Sequence, residues 1–66
     1  MTLADYRRRR DLTQQELANK LGVDVQTVSN WERAVYDPGP WHVFRMSRIF
    51  KVPLRRLKTH LTRRAA

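Results

Sequence analysis

The chain has no cysteine, only two glycines and no long apolar run. Without cysteine it can form neither a disulfide nor a thiolate metal site. Its two histidines, His42 and His60, lie far apart and have no cysteine partners, so no metal and no cofactor is expected. No run approaches the roughly 20 apolar residues of a membrane span. The N-terminal MTLADYRRRR also lacks the apolar segment of a secretory signal, which makes the cytoplasm the predicted location.

Acidic residues are scarce as well. Six Asp and Glu stand against fourteen Lys and Arg, which gives a formal net charge of +8 on 66 residues and a sequence pI near 11.4. A pI above about 9 with clustered arginine is typical of proteins that bind polyanions. The basic residues could serve solubility alone, but such an excess on so short a chain favours nucleic acid as the binding partner. Charge by itself does not separate DNA from RNA or from anionic lipid.

The sequence is rich in helix signals and poor in strand signals. It has few β-branched alternations and neither Asn-Gly nor Asp-Gly. Thr13 and Glu16 have the spacing of a capping box, Gly22 is placed to end that helix in the left-handed region, and Asp24 is a second N-cap. Five short helices are predicted, over about residues 2–10, 14–21, 25–33, 40–50 and 53–61.

Hydrophobic spacing assigns a core side to these helices. Val28 and Trp31 are predicted to face the core from the third helix. The fourth and fifth helices turn inward eight side chains: Val43, Phe44, Met46, Ser47, Phe50, Leu54, Leu57 and Leu61. His42 and His60 are expected at the surface.

The segment 13–33 has the order of a helix-turn-helix: a capped helix, a glycine turn and a second capped helix. In such a unit the second helix places its N-terminal residues in the major groove of DNA. Gln and Asn can pair with adenine, Thr suits several bases, and an apolar group can pack on the thymine methyl. The side chains that fit this description are Val25, Gln26, Thr27 and Asn30. Local packing is an equally good use of Val25.

The segment LTQQELANKLGVDVQTVSNWER resembles the core of the Xre/Cro-C1 family of phage and bacterial repressors. TQQELA, LGV and VSNWER occur together at the family's spacing, and the likeness extends over nearly the whole chain. It implies an all-α, compact five-helix bundle of the lambda-repressor-like type. The DNA-binding domain is then predicted over residues 1–61, with the helix-turn-helix core over 13–33 and a basic tail over 62–66.

The resemblance also implies roles for single residues. The residue at the place of Gln14 contacts phosphate in similar proteins, and a phosphate contact is common at the place of Arg33. Arg7 and Glu32 match a pair that ties the first helix to the third. Arg8 and Arg9 are candidate phosphate contacts, although a solvated helix face is an equal alternative for both.

Two positions depart from the family pattern, which usually has glycine where Ala34 and Lys51 stand. Alanine in a left-handed cap costs about 1 kcal/mol, so a different helix end is expected after the third helix. The loop AVYDPGPWH, residues 34–42, is unusually aromatic. Tyr36 and Trp41 in it could serve a dimer contact or cap the end of the core.

The function predicted from these features is a sequence-specific double-stranded DNA-binding transcription regulator. It is expected to be a repressor of phage, plasmid or other mobile-element origin, associated with the nucleoid. A homodimer, at least on DNA, would bind a palindromic operator, and no small-molecule effector is expected. No catalytic array is recognisable, so an enzyme is not predicted. The alternatives are an antitoxin-like protein-interaction module that also binds DNA, and a non-specific nucleic-acid coat. The basic run over 55–64 either extends the DNA contact or is solvated.

Overall fold

Five α-helices make up the described part of the chain, as the sequence predicts. The computed structural model describes the backbone of residues 1–61 and the side chains of residues 1–58. Its helices are α1 (Leu3–Arg9), α2 (Gln14–Leu21), α3 (Val25–Glu32), α4 (Pro40–Phe50) and α5 (Leu54–Leu61). Residues 1–61 contain no β-strand, and the all-α five-helix bundle is confirmed. The predicted 62–66 tail and the predicted positions of the His60 and Leu61 side chains lie outside what is described.

Side-chain caps fix the starts of the first two helices. Thr13 Oγ1 accepts from the Glu16 amide at 3.0 Å, and the Glu16 carboxylate accepts from the Thr13 amide at 2.8 Å, which confirms the predicted capping box. Thr2 and Asp5 form a second box that was not predicted, with bonds of 3.2 and 2.8 Å. Hydrogen bonding from the Thr2 backbone amide and hydroxyl holds the pKa of Asp5 below its usual value. Asp24 stands at the N-cap of α3 but makes no side-chain cap bond.

A residue in the left-handed region follows each of the first four helices. These residues are Asp11 (φ 55°), Gly22 (φ 72°), Ala34 (φ 60°) and Lys51 (φ 59°). After each, the next residue's amide donates to the carbonyl five positions earlier, at 2.9 to 3.2 Å, as in a Schellman motif. The expectation of a different helix end at Ala34 is therefore wrong: Val35 still bonds back to Asn30 at 2.9 Å. Alanine tolerates the strain because this bond and the Ala34-to-Trp31 bond close the same turn.

The left-handed alanine gives a stability prediction. Replacing Ala34 with Gly should relieve about 1–2 kcal/mol of steric cost and return about 0.4–1 kcal/mol through the more flexible unfolded chain. The expected net gain is about 0.5–1 kcal/mol, or a rise of several degrees in the melting temperature measured by circular dichroism. The same substitution at helical Ala18 should lower the melting temperature. A fall at both positions would contradict the left-handed conformation of Ala34.

The core lies where the inner faces of the helices meet. Its largest fully buried side chains are Leu17, Val28, Val43, Met46 and Leu57. The rings of Tyr6 and Phe50 are buried beside them and stack with centroids 5.7 Å apart. Val28 fixes the orientation of α3, because burying this side chain turns the opposite face of the helix outward.

Three aromatic positions differ from the sequence expectation. Phe44, predicted to face inward, is 40% exposed, because the buried stripe of α4 runs through Val43, Met46, Ser47 and Phe50 and leaves it on the outer side. Trp31, predicted as core, is half-buried and packs against the core from its edge. His42 was expected at the surface but is half-buried, with its ring 5.1 Å from that of Trp31.

Candidate nucleic-acid interface

The outward face of α3 carries the four side chains predicted to read bases. Val25 and Gln26 are exposed in the first turn, whereas Thr27 and Asn30 are half-buried. Val25 is 37% exposed, so packing within the chain buries only part of its side chain. Gln26 and Asn30 are four residues apart and therefore lie one above the other along the helix. The structure thus brings donors, acceptors and an apolar group together on one exposed surface.

A line of hydrogen bonds joins three polar side chains on this face. Gln26 Nε2 donates to Asn30 Oδ1 at 3.2 Å, and Arg33 Nη2 donates to the same oxygen at 2.7 Å. A side-chain carbonyl oxygen has two lone pairs, so Asn30 Oδ1 is fully occupied as an acceptor. What remains on Asn30 is the Nδ2 amino group with its two donors. Gln26 keeps Oε1 as an acceptor and one further N–H as a donor.

Glu32, at the end of α3, connects three helices. Its Oε2 accepts from Arg7 Nε at 2.6 Å, and its Oε1 accepts from Arg7 Nη2 at 3.3 Å. Gln14 Nε2 also donates to Oε1, at 2.9 Å. The remaining Arg7 nitrogen, Nη1, donates to the Leu12 carbonyl at 2.8 Å. One carboxylate therefore holds α3 to α1 and to the first residue of α2.

This connection is largely removed from solvent. The side chains of Arg7 and Glu32 are 11% and 8% exposed. Charged hydrogen bonds are stronger in such surroundings, and arginine can meet a carboxylate with two donors at once. The Glu32 cluster, defined as Arg7, Gln14 and Glu32, therefore fixes the angle of α3 relative to α2. That angle decides how the exposed face of α3 is presented.

Gln14 was predicted to contact phosphate, and the structure places it half-buried at the first position of α2. One of its amide donors is directed to Glu32. The amide has a second N–H and a carbonyl oxygen with which to meet another group. The Glu32 contact thus gives this flexible side chain a defined position at the helix start, a placement that the sequence did not indicate.

The predicted phosphate-contacting arginines lie in two places. Arg8 and Arg9 are exposed on α1, and Arg9 Nη1 lies 3.2 Å from Met1 Sδ. Arg33 is exposed at the end of α3 and bonds to Asn30. A guanidinium has five donors, so Arg33 can hold Asn30 and still meet an anion. No hydrogen bond of the described residues joins Arg8, Arg9 or Arg33 to Gln14.

Tyr36 and Trp41, the candidate dimer contacts, are both 62% exposed. They therefore do not cap the core, which was the alternative use considered for them. Tyr36 lies in the turn after α3, and Trp41 lies in the first turn of α4, where its ring is 6.1 Å from that of Phe44.

Other kinds of site find little support in the part of the chain that the structure describes. No group of three or more His, Cys, Asp or Glu residues there could hold a metal ion. No helix within it is long and apolar enough to cross a membrane. An open groove of about 520 Å³ lies beside α1 and the turn between α4 and α5. Among residues 1–58 its lining is formed by Met1, Tyr6, Arg9, Arg10, Phe50, Lys51, Val52 and Arg56, and these eight include no carboxylate and no imidazole to act as a general base.

Four hydrogen bonds of this region were not predicted from the sequence: those from Gln14 to Glu32, from Gln26 to Asn30, from Arg33 to Asn30 and from Arg7 to the Leu12 carbonyl. The two bonds to Asn30 have a local signal, since residues three or four apart on a helix are neighbours. The bond to Glu32 depends on how α2 and α3 cross, and the bond to Leu12 depends on the turn after α1; no spacing in the sequence encodes either.

Comparison with known proteins finds a helix-turn-helix over most of the chain. Residues 3–57 match the family model described as "Helix-turn-helix". An uncharacterized HTH-type transcriptional regulator of Methanocaldococcus jannaschii is 41% identical over 49 residues, which are 74% of this chain and 74% of that protein. No solved structure shows a significant match to the chain.

Proposed function

The chain belongs to the helix-turn-helix family of the Xre/Cro-C1 type, and on this premise we propose that it is a sequence-specific repressor that binds a palindromic operator. The coarser function, DNA-binding transcription regulator, follows from the family and from the name of the relative. The observation that supports sequence-specific binding is the polar, hydrogen-bonded face of α3 formed by Gln26, Asn30 and Arg33.

Base recognition is assigned to the exposed side of α3. The Gln26 amide retains one acceptor and one donor, the pair that matches N6 and N7 of adenine. Asn30 presents the two donors of Nδ2, which suit acceptors such as guanine O6 or a purine N7. Val25 can pack on a thymine methyl, and the Thr27 hydroxyl can meet either kind of base. This assignment uses only groups that the internal hydrogen bonds leave available.

Backbone contacts position the protein on the duplex. Gln14 is assigned to a phosphate beside the start of α2, and Arg33 to one beside the end of α3. Because Glu32 holds Gln14, this phosphate contact and the recognition helix are connected through one carboxylate. The net charge of +8 supplies the attraction that draws the chain to DNA of any sequence.

Arg8 and Arg9 give a prediction about salt dependence. If both contact phosphate, the variant with Arg8→Gln and Arg9→Gln should bind with a smaller dependence on salt. The slope of log K against log salt should become shallower by about 0.9 for each phosphate that is no longer neutralised. The measurement is a fluorescence-anisotropy titration at several salt concentrations. Arg48→Gln and Lys51→Gln together remove the same charge from two exposed residues that are not assigned to DNA, and they are the control. A slope that drops by the same amount in both variants would indicate a general charge effect and a solvated face on α1.

Two copies are proposed to bind together, since a palindrome presents two equivalent half-sites about 34 Å apart. Tyr36 is the preferred contact between copies, because it is exposed and lies in the turn that follows the recognition helix. Trp41 is the other candidate for this contact, although its neighbours on α4 favour a separate role.

Selection of bound sequences from random duplex DNA tests the proposed function directly. A palindromic consensus with two half-sites one turn apart is the expected result. A consensus with a single half-site would support base recognition but contradict dimeric binding. If no preferred sequence is recovered, base recognition is contradicted and the non-specific nucleic-acid coat is favoured.

An antitoxin-like interaction module that also binds DNA is the second candidate, favoured by the exposed aromatic side chains between residues 36 and 44. It predicts that the chain copurifies in a fixed ratio with the product of a neighbouring gene. A chain that represses its own promoter without any such partner would count against it.

A further inference from the structure

The outer face of α4 is aromatic and cationic. Trp41, Phe44, Arg45 and Arg48 have the i, i+3, i+4, i+7 spacing of a single helix face. Trp41 and Phe44 are 62% and 40% exposed, and their ring centroids are 6.1 Å apart. The Arg45 guanidinium lies 5.8 Å from the Trp41 ring centroid, and that of Arg48 lies 5.9 Å from the Phe44 centroid. We propose that this surface, the α4 outer face, binds an acidic and apolar segment of a partner protein.

The first reason is that α4 is apolar on two sides. Its inner stripe is buried in the core through Val43, Met46 and Phe50. A solvated helix would be expected to carry polar residues on the opposite side, yet the two largest side chains there are aromatic and uncovered. Tryptophan and arginine are the residue types enriched at the centres of protein interfaces. The composition is therefore that of a contact surface rather than a solvated face.

The second reason is that the surface is separate from the parts of the chain assigned to DNA. Arg45 Nη2 donates to the Lys20 carbonyl at 3.1 Å, which places the middle of the surface at the C-terminal end of α2. Gln14, the proposed phosphate contact, begins the same helix six residues earlier, a distance of roughly 9 Å along the axis. The middle of the α4 outer face therefore lies at the opposite end of α2 from the proposed phosphate contact. This inference does not depend on base recognition by α3, and it specifies the partner chemistry for exposed aromatic residues that also favour the second candidate function.

Charge and ring geometry decide which partner fits. Every charged residue of α4 is an arginine, so a partner with carboxylates is attracted to this face. A second copy in a two-fold contact would bring the same arginines against each other. Single-stranded nucleic acid needs open ring faces on which bases can stack, and here one face of each ring already has a guanidinium over it. Carboxylates can meet the outer edges of the guanidiniums while apolar side chains pack against the exposed ring edges.

The test is a selection of random 12-residue peptides displayed on phage against the full chain. The counter-selection uses a variant with Trp41→Ser and Phe44→Ser, which keeps the net charge and therefore removes peptides that bind any basic surface. Surviving peptides are expected to combine Asp or Glu with large apolar residues. A synthetic peptide with the sequence of a survivor should bind the unmodified chain at least tenfold more tightly than it binds either the double variant or the Arg48→Glu variant. The Arg48→Glu variant keeps both rings, so its affinity for the peptide tests the proposal even if the double variant folds poorly.

Three outcomes would overturn the proposal. Surviving peptides that lack either carboxylates or apolar residues would contradict a partner that is both acidic and apolar. Binding of a 12-nucleotide oligothymidylate that the double variant loses, with no surviving peptide, would make the face a nucleic-acid site. Self-association in sedimentation that the double variant loses, again with no surviving peptide, would make it a contact between copies.

Discussion

The variant Glu32→Gln is expected to melt roughly 10 to 20 °C below the unmodified chain. The substitution preserves the shape of the side chain but removes the charge that Arg7 and Gln14 face. Removing one partner of a fully buried ion pair costs about 3–5 kcal/mol, whereas an exposed pair is worth under about 1 kcal/mol. With 11% and 8% exposure, this pair lies near the buried limit, so a loss of about 2–3 kcal/mol is expected. In so small a domain each kcal/mol shifts the melting temperature by about 4–8 °C.

Thermal and urea unfolding followed by circular dichroism provide the measurement. Arg7→Ala should have an effect of similar size, because it removes the same pair together with the bond to the Leu12 carbonyl. Gln15→Ala is the control, since it removes an exposed side-chain bond to Asn19 of 2.9 Å within a single helix. It should change stability by no more than about 0.5 kcal/mol. If the Glu32 and Arg7 variants melt within two or three degrees of the unmodified chain, the cluster does not hold the helices together.

A double substitution separates the charge pair from simple packing. When Arg7→Met and Glu32→Leu are combined, no buried charge is left without a partner, and such exchanges are often neutral. The double variant should therefore be more stable than the summed effects of the two single substitutions would give. It should nevertheless bind DNA more weakly, because Gln14 loses its support at the start of α2. Relative to Glu32→Leu, stability would then recover while DNA binding stays weak, because Gln14 lacks its partner in both variants.

The sequence was sufficient for the helices because their signals are local. The Thr13 and Glu16 capping box, Gly22 and Pro40 each act within a few residues, and the structure begins or ends helices at these places. The left-handed Ala34 could not be predicted from propensity, since two backbone bonds impose a conformation that alanine alone avoids. Phe44 was misplaced because two adjacent apolar residues, Val43 and Phe44, compete for one inner stripe.

The residues of the candidate site could be proposed from the sequence, but the hydrogen bonds between them could not. The choice of Gln26 and Asn30 followed from helix spacing and from the chemistry of base edges, and it remains a prediction about DNA. Their hydrogen bonds to each other and to Arg33 change what each can offer, because an occupied acceptor is no longer available to a base. Such detail depends on side-chain rotamers, which the order of residues does not determine.

Gln26→Ala and Asn30→Ala are expected to reduce specific binding by about 10- to 100-fold each, because a good bidentate base contact supplies about 1–3 kcal/mol of discrimination. Binding to random duplex should change far less, since it depends mainly on charge, which neither substitution alters. The measurement is competition between the selected operator and a random duplex of equal length at one salt concentration. Equal losses on both duplexes would contradict base recognition by these side chains.

The internal hydrogen bonds make the prediction for Asn30 sharper. Asn30→Asp keeps an oxygen to accept from Gln26 and Arg33 but removes both Nδ2 donors. If Asn30 acts on the base as a donor, Asp should be at least as damaging to discrimination as Ala. If Asn30 only holds Arg33 in place, Asp should preserve discrimination and Ala should not. Arg33→Ala provides the third comparison, because it frees one lone pair of Asn30 Oδ1. A shift of the selected base toward adenine, which needs both an acceptor and a donor, is then expected at the position that Asn30 reads.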